Sequence, residues 1–153
     1  MGAVEQRLAA LGHTVPEVAP PVAVYVPAVQ TGTLVYTSGQ LPLASGVLMG
    51  TGKVGAQVTP EQAHAMAAQC ALNAIAAIRA LIGDLDRVVR VVKVVGFVAS
   101  DPGFSGQPGV VNGASELLGA AFGDAGVHAR SAVGVAVLPL DAPVEVEVIV
   151  EIS

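Results

Sequence analysis

From Thr59 onward, apolar residues recur at three- and four-residue spacing. Ala63, Met66, Ala67, Cys70, Ala74, Ile78 and Leu81 would share one face of a helix. Both ends are marked: Thr59 stands at the N-cap, Pro60 at the first helical position, Gln62 completes a capping box, and Gly83 stops the run. Such a helix should lie on a sheet. The valine-rich RVVRVVKVVGFV predicts a strand buried on most of both sides, followed by the loop ASDPGFSGQPG and a second helix from about Val110 to Phe122. Two closing strands, about Arg130–Val137 and Val144–Ile152, are linked by LPLDAP, with Glu145 and Glu147 two apart and therefore on one face.

Upstream, VAVYVPAVQTGTLVYTSGQLPL reads as two strands around the turn QTG, the second being Leu34–Ser38, a plausible hairpin. The Gly-rich LASGVLMGTGKVG predicts a ragged third strand or loop. AVEQRLAAL predicts a short amphipathic helix stopped by Gly12 and followed by a Pro-rich connector through Pro21, an appendage to the main fold. The expected organisation is a helix and connector over residues 1–19 and a single domain over 20–153, with the order β-β-(β)-α-β-α-β-β.

Composition narrows the architecture. With 53% apolar and 12% charged residues in a chain of 153, disorder is excluded. Aromatics make up only 3% and Trp is absent, so the core must be built from Val, Ala, Leu and Ile, which suits strands covered by Ala-rich helices in an α/β or α+β sandwich. So little charge implies an apolar surface, and oligomerisation is expected. Residues 18–52 carry no charge, but Pro20, Pro21, Pro27 and Pro42 and five glycines interrupt them, so no membrane helix is expected there. The N-terminus lacks a secretory pattern, and a cytoplasmic protein is expected. The net charge of −5 disfavours nucleic acid, and Arg79, Arg87, Arg90 and Lys93 form only a modest basic cluster. The lone Cys70, inside a helical pattern, reads as an inert packed thiol.

The nucleophile and ligand motifs are missing. His13, His64 and His128 show no metal spacing, and His64 is expected on a solvent-facing side of its helix. Ser38 in TSGQ lacks the G-x-S-x-G elbow, and the glycines form neither GxGxxG nor a Walker loop. That leaves Arg130, one of only seven Lys and Arg, at the mouth of a strand. A half-buried guanidinium demands a carboxylate partner or a ligand. Spacing leaves open whether Arg130 makes a structural ion pair at a sheet edge or belongs to a site.

Three stretches, ARSAVGVAVLP followed after a short gap by VEVEVIV, YTSGQLP with Tyr25 upstream, and Asn112 in VVNGASELL, together resemble the Rid family, also known as YjgF or endoribonuclease L-PSP. The resemblance spans roughly residues 20–152 and includes ALNAIAAI in the first long helix. It implies an α+β, chorismate-mutase-like fold, a mixed sheet packed against two helices, assembled as a homotrimer with clefts between subunits. It further implies hydrolytic deamination of reactive 2-imino acids to 2-keto acids and ammonia, without cofactor or metal. Arg130 would clamp the substrate carboxylate, and Glu145 would orient or deprotonate the attacking water. Ser38, Gly39, Gln40 and the main chain near Ala132 would line the cleft, with Tyr25 and Asn112 shaping the substrate side and Glu147 structural. The chain departs from the family at His128, where most members have Pro or Ala, and at Ala132, where the best studied deaminases have Cys. His128 is expected to face solvent. The N-terminal helix marks a side branch. Two other functions compete: a trimeric small-carboxylate binding or regulatory protein without turnover, and the ribonuclease or translation inhibitor of the older name.

Overall fold

A computed structural model describes residues 1–18 and 24–153. Its elements are α1 (Ala3–Ala10), β1 (Ala28–Thr31), β2 (Leu34–Thr37), β3 (Leu43–Ala44), β4 (Val47–Leu48), α2 (Pro60–Ile82), β5 (Val88–Ala99), α3 (Gln107–Phe122), β6 (Ala129–Val135) and β7 (Val144–Ile152). Residues 19–21 of the expected connector, and 22–23 at the start of the expected first strand, lie outside the described residues.

The main sheet has the order β1-β2-β7-β5-β6. Every neighbouring pair is antiparallel except β5 and β6, which α3 joins by a crossover. The two closing strands, adjacent in sequence, are therefore not neighbours in space. The long β5 lies between them, because the crossover lays β6 parallel to its outer edge while β7 returns along the other. The Gly-rich segment forms the separate two-stranded β3–β4 sheet. Asn73 of α2 holds it, donating to the carbonyls of Leu41 and Leu43 at 3.0 Å each.

Helices cover one face of the main sheet. Along β7, Val144, Val146, Val148, Val150 and Ile152 are buried, whereas Glu145, Glu147, Ile149 and Glu151 are only partly covered. On β5, Val91, Val94 and Val98 are buried, and Lys93, Val95 and Phe97 are partly exposed. Burial of β5 on both sides, expected from its valines, is not met within one chain because both long helices pack on the same side.

The capping box of α2 forms as its sequence dictates: Gln62 N donates to Thr59 Oγ1 at 3.1 Å, and Thr59 N donates to Gln62 Oε1 at 2.9 Å. This helix is long and apolar enough to cross a bilayer, but its face carrying Cys70, Ala74 and Ile78 is buried in the core. Gly113 sets the closeness of α2 and α3, since a Cβ there would stand 1.9 Å from the backbone oxygen of His64.

Helix α1, expected as an appendage, is clipped to the body. Val4 and Leu8 are buried in the common core. The carboxylate of Asp86 accepts the N–H groups of Ala3 at 3.0 Å and Val4 at 3.2 Å, satisfying two orphan donors of the helix start. Arg7 Nε donates to the carbonyl of Ala121 at the end of α3, at 2.8 Å.

Candidate functional site

Arg130 pairs in register with Val94, which also pairs with the buried Val148. Paired residues share a face, so Arg130 projects toward the helices at the open edge of β6. There α3 presents Pro108, Asn112 and Ser115 at helical spacing. Arg130 Nη1 donates to Asn112 Oδ1 at 2.7 Å and Ser115 Oγ at 3.3 Å, and Nη2 donates to the Pro108 carbonyl at 3.4 Å. All three acceptors are neutral. The carboxylate partner that a half-buried guanidinium leads one to expect is missing among the described residues, where the ion pairs are Lys53–Asp141, His64–Glu116 and Arg79–Glu17. Neutral acceptors satisfy part of the guanidinium without cancelling its charge. Its Nε–H and second Nη2–H make no hydrogen bond among the described residues, and together they form the side-on edge that takes a carboxylate in two parallel bonds.

His128, expected to face solvent, is half-buried behind this arrangement. Its Nδ1 lies 2.6 Å from the Gly126 carbonyl oxygen and its Nε2 lies 2.9 Å from Ser115 Oγ. His64, also expected on a solvent face, bridges α2 to α3 through Glu116 Oε2 at 3.1 Å. Among the described residues no three His, Cys, Asp or Glu side chains gather as a metal would require.

Glu145 lies three positions before Val148 and pairs with Phe97, so it projects from the opposite, uncovered face. Residues 38–40 pass close to it. A Cβ on Gly39 would stand 2.7 Å from the Glu145 carboxyl carbon, and only glycine leaves the carboxyl its place. The backbone fixes this strap: Gln40 N donates to the Val146 carbonyl at 2.8 Å, and Val146 N donates to that of Gln40 at 3.0 Å. Ser38 Oγ donates to the Val26 carbonyl at 2.7 Å, and Gln40 Nε2 donates to that of Ser38 at 3.0 Å. Burial, then the neighbouring charge of Glu147, holds the Glu145 carboxyl above the usual carboxylate range. Burial, then the charge of Glu145, raises the Cys70 thiol well above its ordinary value, so it is inert.

Tyr25 is exposed and, with Gly39, Gln40, Leu41 and Asn73, lines a cleft of about 790 Å³. Ala132 lies two positions from Arg130 on the same face and pairs with Gly96. The structure thus forms two groups. Arg130, Asn112 and Ala132 stand at the β6 edge on the helix side; Glu145 stands with the strap of Ser38, Gly39 and Gln40, near Tyr25, with the carboxyl on the uncovered side. Strand β5 separates the groups, and one chain does not bring them together. Sequence reasoning missed Pro108 and Ser115. Ser115 was findable, since it follows Asn112 by three positions on a helix and so shares its face.

Residues 5–152 match the family described as "YjgF/chorismate mutase-like, putative endoribonuclease". The chain is 45% identical over 153 residues to Protein TCP17 of Trypanosoma cruzi, covering 99% of this chain and 96% of that one. Among solved structures it resembles the protein Atu1372 of Agrobacterium tumefaciens, whose function is given as unknown, with 47% identity and a TM-score of 0.90 over 98% of this chain and 92% of that chain. The "putative endoribonuclease" of Shewanella oneidensis matches with 33% identity and a TM-score of 0.95 over 99% of this chain and 100% of that chain. The YjgF gene product of Escherichia coli matches with 27% identity and a TM-score of 0.63 over 88% and 93%. With nearly its whole length matched and the mixed sheet and helices in place, the chain belongs to the YjgF/chorismate mutase-like family.

Proposed function

We propose that this protein hydrolyses 2-imino acids to 2-keto acids and ammonia, at clefts completed between copies of the chain in a homotrimer. The observation that carries this reading is the state of Arg130: a half-buried cation held by three neutral acceptors, with its side-on edge open. Such a group is prepared for a carboxylate, and a planar fork does what a lysine cannot. A 2-imino acid offers that carboxylate beside an electrophilic carbon.

The chemistry then asks little of the protein. Water adds to the imine carbon, forming a C–O bond while the C=N electrons move to nitrogen. A proton passes from the water to a base and on to nitrogen, and the C–N bond breaks to release ammonia and leave the keto acid. Glu145 suits the proton transfer, because a carboxyl raised toward neutrality by burial exchanges protons more readily than an ordinary one. Arg130 and Glu145 point from opposite faces of one sheet, so a cleft using both takes them from different subunits. The uncovered face supports assembly, as Val29, Tyr36 and Val133 are exposed on it. Ser38, Gly39, Gln40 and Tyr25 then line the Glu145 side, and Asn112 and Ala132 the Arg130 side. A cytoplasmic enzyme without metal or cofactor fits this chemistry.

The test is deamination of 2-iminobutanoate and 2-iminopropanoate, generated in place by a dehydratase or amino-acid oxidase. Wild type should accelerate keto acid formation, and Arg130→Gln should lower kcat/KM roughly 100-fold, the loss expected for a charged bidentate contact. Equal rates with and without protein would overturn the reading. Keto acid binding without turnover would then favour a carboxylate-binding module, which the open guanidinium edge serves equally well. RNA cleavage, suggested by the names of relatives, fits poorly with a net charge of −5.

A further inference from the structure

We infer that His128 is a positioning residue for Arg130, acting through the hydroxyl of Ser115; this rests on the reading of Arg130 as a carboxylate clamp. The hydrogen bonds leave one consistent assignment. The Gly126 carbonyl can only accept, so His128 Nδ1, 2.6 Å away, carries a proton and donates it. In the neutral ring Nε2 is then an acceptor, and the Ser115 hydroxyl, 2.9 Å away, donates to it. With its one proton directed at the imidazole, Ser115 Oγ turns lone pairs toward Arg130 Nη1 at 3.3 Å.

Without His128 the hydroxyl is free to rotate and to point its proton at the cation. Asn112 Oδ1 at 2.7 Å would still hold Nη1, but alone it leaves the guanidinium plane free to swing about that contact. The relay of carbonyl, imidazole and hydroxyl therefore fixes the plane, and with it the direction of the open Nε and Nη2 edge. Its members come from the turn after α3, the start of β6 and the middle of α3, so the relay also ties the clamp to the elements that flank it. His128 touches no substrate in this scheme. It acts on affinity for the carboxylate and not on the water step.

The readout is binding of 2-ketobutanoate by calorimetry, which needs no turnover. Removing one neutral hydrogen-bonded contact should weaken binding about three- to tenfold in His128→Ala and in Ser115→Ala. The double variant should be no weaker than either single one, because both break the same chain. His128→Gln, whose amide oxygen can accept from Ser115, should recover most of the affinity. In the imine assay, His128→Ala should raise KM and leave kcat unchanged. Unfolding temperature and mass in solution, measured on each variant, separate loss of fold from loss of the relay. If wild type binds the keto acid and Arg130→Gln does not, but His128→Ala binds as wild type, or the two single losses add in a folded double variant, the relay is overturned while the clamp stands. If Arg130→Gln binds as well as wild type, or wild type itself binds no keto acid, the clamp fails and the relay with it.

Discussion

The two faces of the main sheet are made by the same strands, and they are finished to different degrees. Toward the helices, Val146 and Val150 of β7 are fully buried and Val148 nearly so, as are Val91, Val94 and Val98 of β5. Toward the other side, the intervening positions place Glu145, Glu147, Lys93 and Phe97 in half-covered settings, and Val133 is exposed. A period of two produces both faces, so the difference lies in what covers them. One chain completes its core with its own helices and leaves the second face to another molecule. The candidate site shares this division, with Arg130 anchored on the finished side and Glu145 standing on the unfinished one.

The strongest way to break the finished side is at the crossing of its two long helices. Gly113→Ala would put a methyl 1.9 Å from the His64 carbonyl oxygen, a backbone atom that cannot turn aside. The helices must separate, opening the packing around Val110, Val111 and Ala114. We expect a loss of about 3 kcal/mol or more, at the upper end of overpacking costs. Denaturant unfolding would show it as a lower midpoint. An unchanged midpoint would mean that the helices can move apart freely, and that the covered face is less tightly determined than its burial implies.

The finished side was also the more legible one in the sequence. Thr59, Pro60, Gln62 and Gly83 announced α2 because capping is local, and Glu145 and Glu147 were placed on one face because alternation is local too. The separation of β6 from β7 was not legible, since nothing near LPLDAP says that β5 takes the place between them. The acceptors of Arg130 were hidden for a related reason: Pro108, Asn112 and Ser115 reach it only through the crossover that lays α3 against β6. His128 read as a solvent residue because its partners, a turn carbonyl and a helix hydroxyl, leave no mark in spacing. The resemblance supplied Arg130, Asn112 and Glu145, but not how one chain distributes them between two faces.

On the unfinished side, a substitution should leave the single chain intact and act on assembly. Val133 pairs with Phe97 and is exposed, so Val133→Lys should change the stability of the isolated fold by no more than about 0.5 kcal/mol. If copies of the chain meet on this face, the mass by light scattering should fall toward that of one chain, and imine hydrolysis should fall with it. Retained mass and activity would place the contact between copies elsewhere and remove the argument for a cleft shared between sheets.

The smallest effect sharpens the comparison most, because it reports what Glu145 meets. Its pKa is raised by burial and by Glu147, so the folded chain holds this proton more tightly than the unfolded one. The associated stability is present below the unfolded carboxyl's pKa and is lost as pH rises through the folded value. Glu145→Gln has no proton to lose and should escape that loss. The variant should therefore unfold at a higher temperature than wild type at neutral pH, and this advantage should vanish once the medium is more acidic than the carboxylate range. The same variant should lose deamination, so stability and activity would move in opposite directions, as they do where a functional carboxyl is kept in an unfavourable setting. A variant less stable than wild type at neutral pH would reverse the sign. It would mean that ionised Glu145 is paired with a cation, and since a single chain offers it no ion pair among the described residues, that cation would have to come from a second copy across the uncovered face.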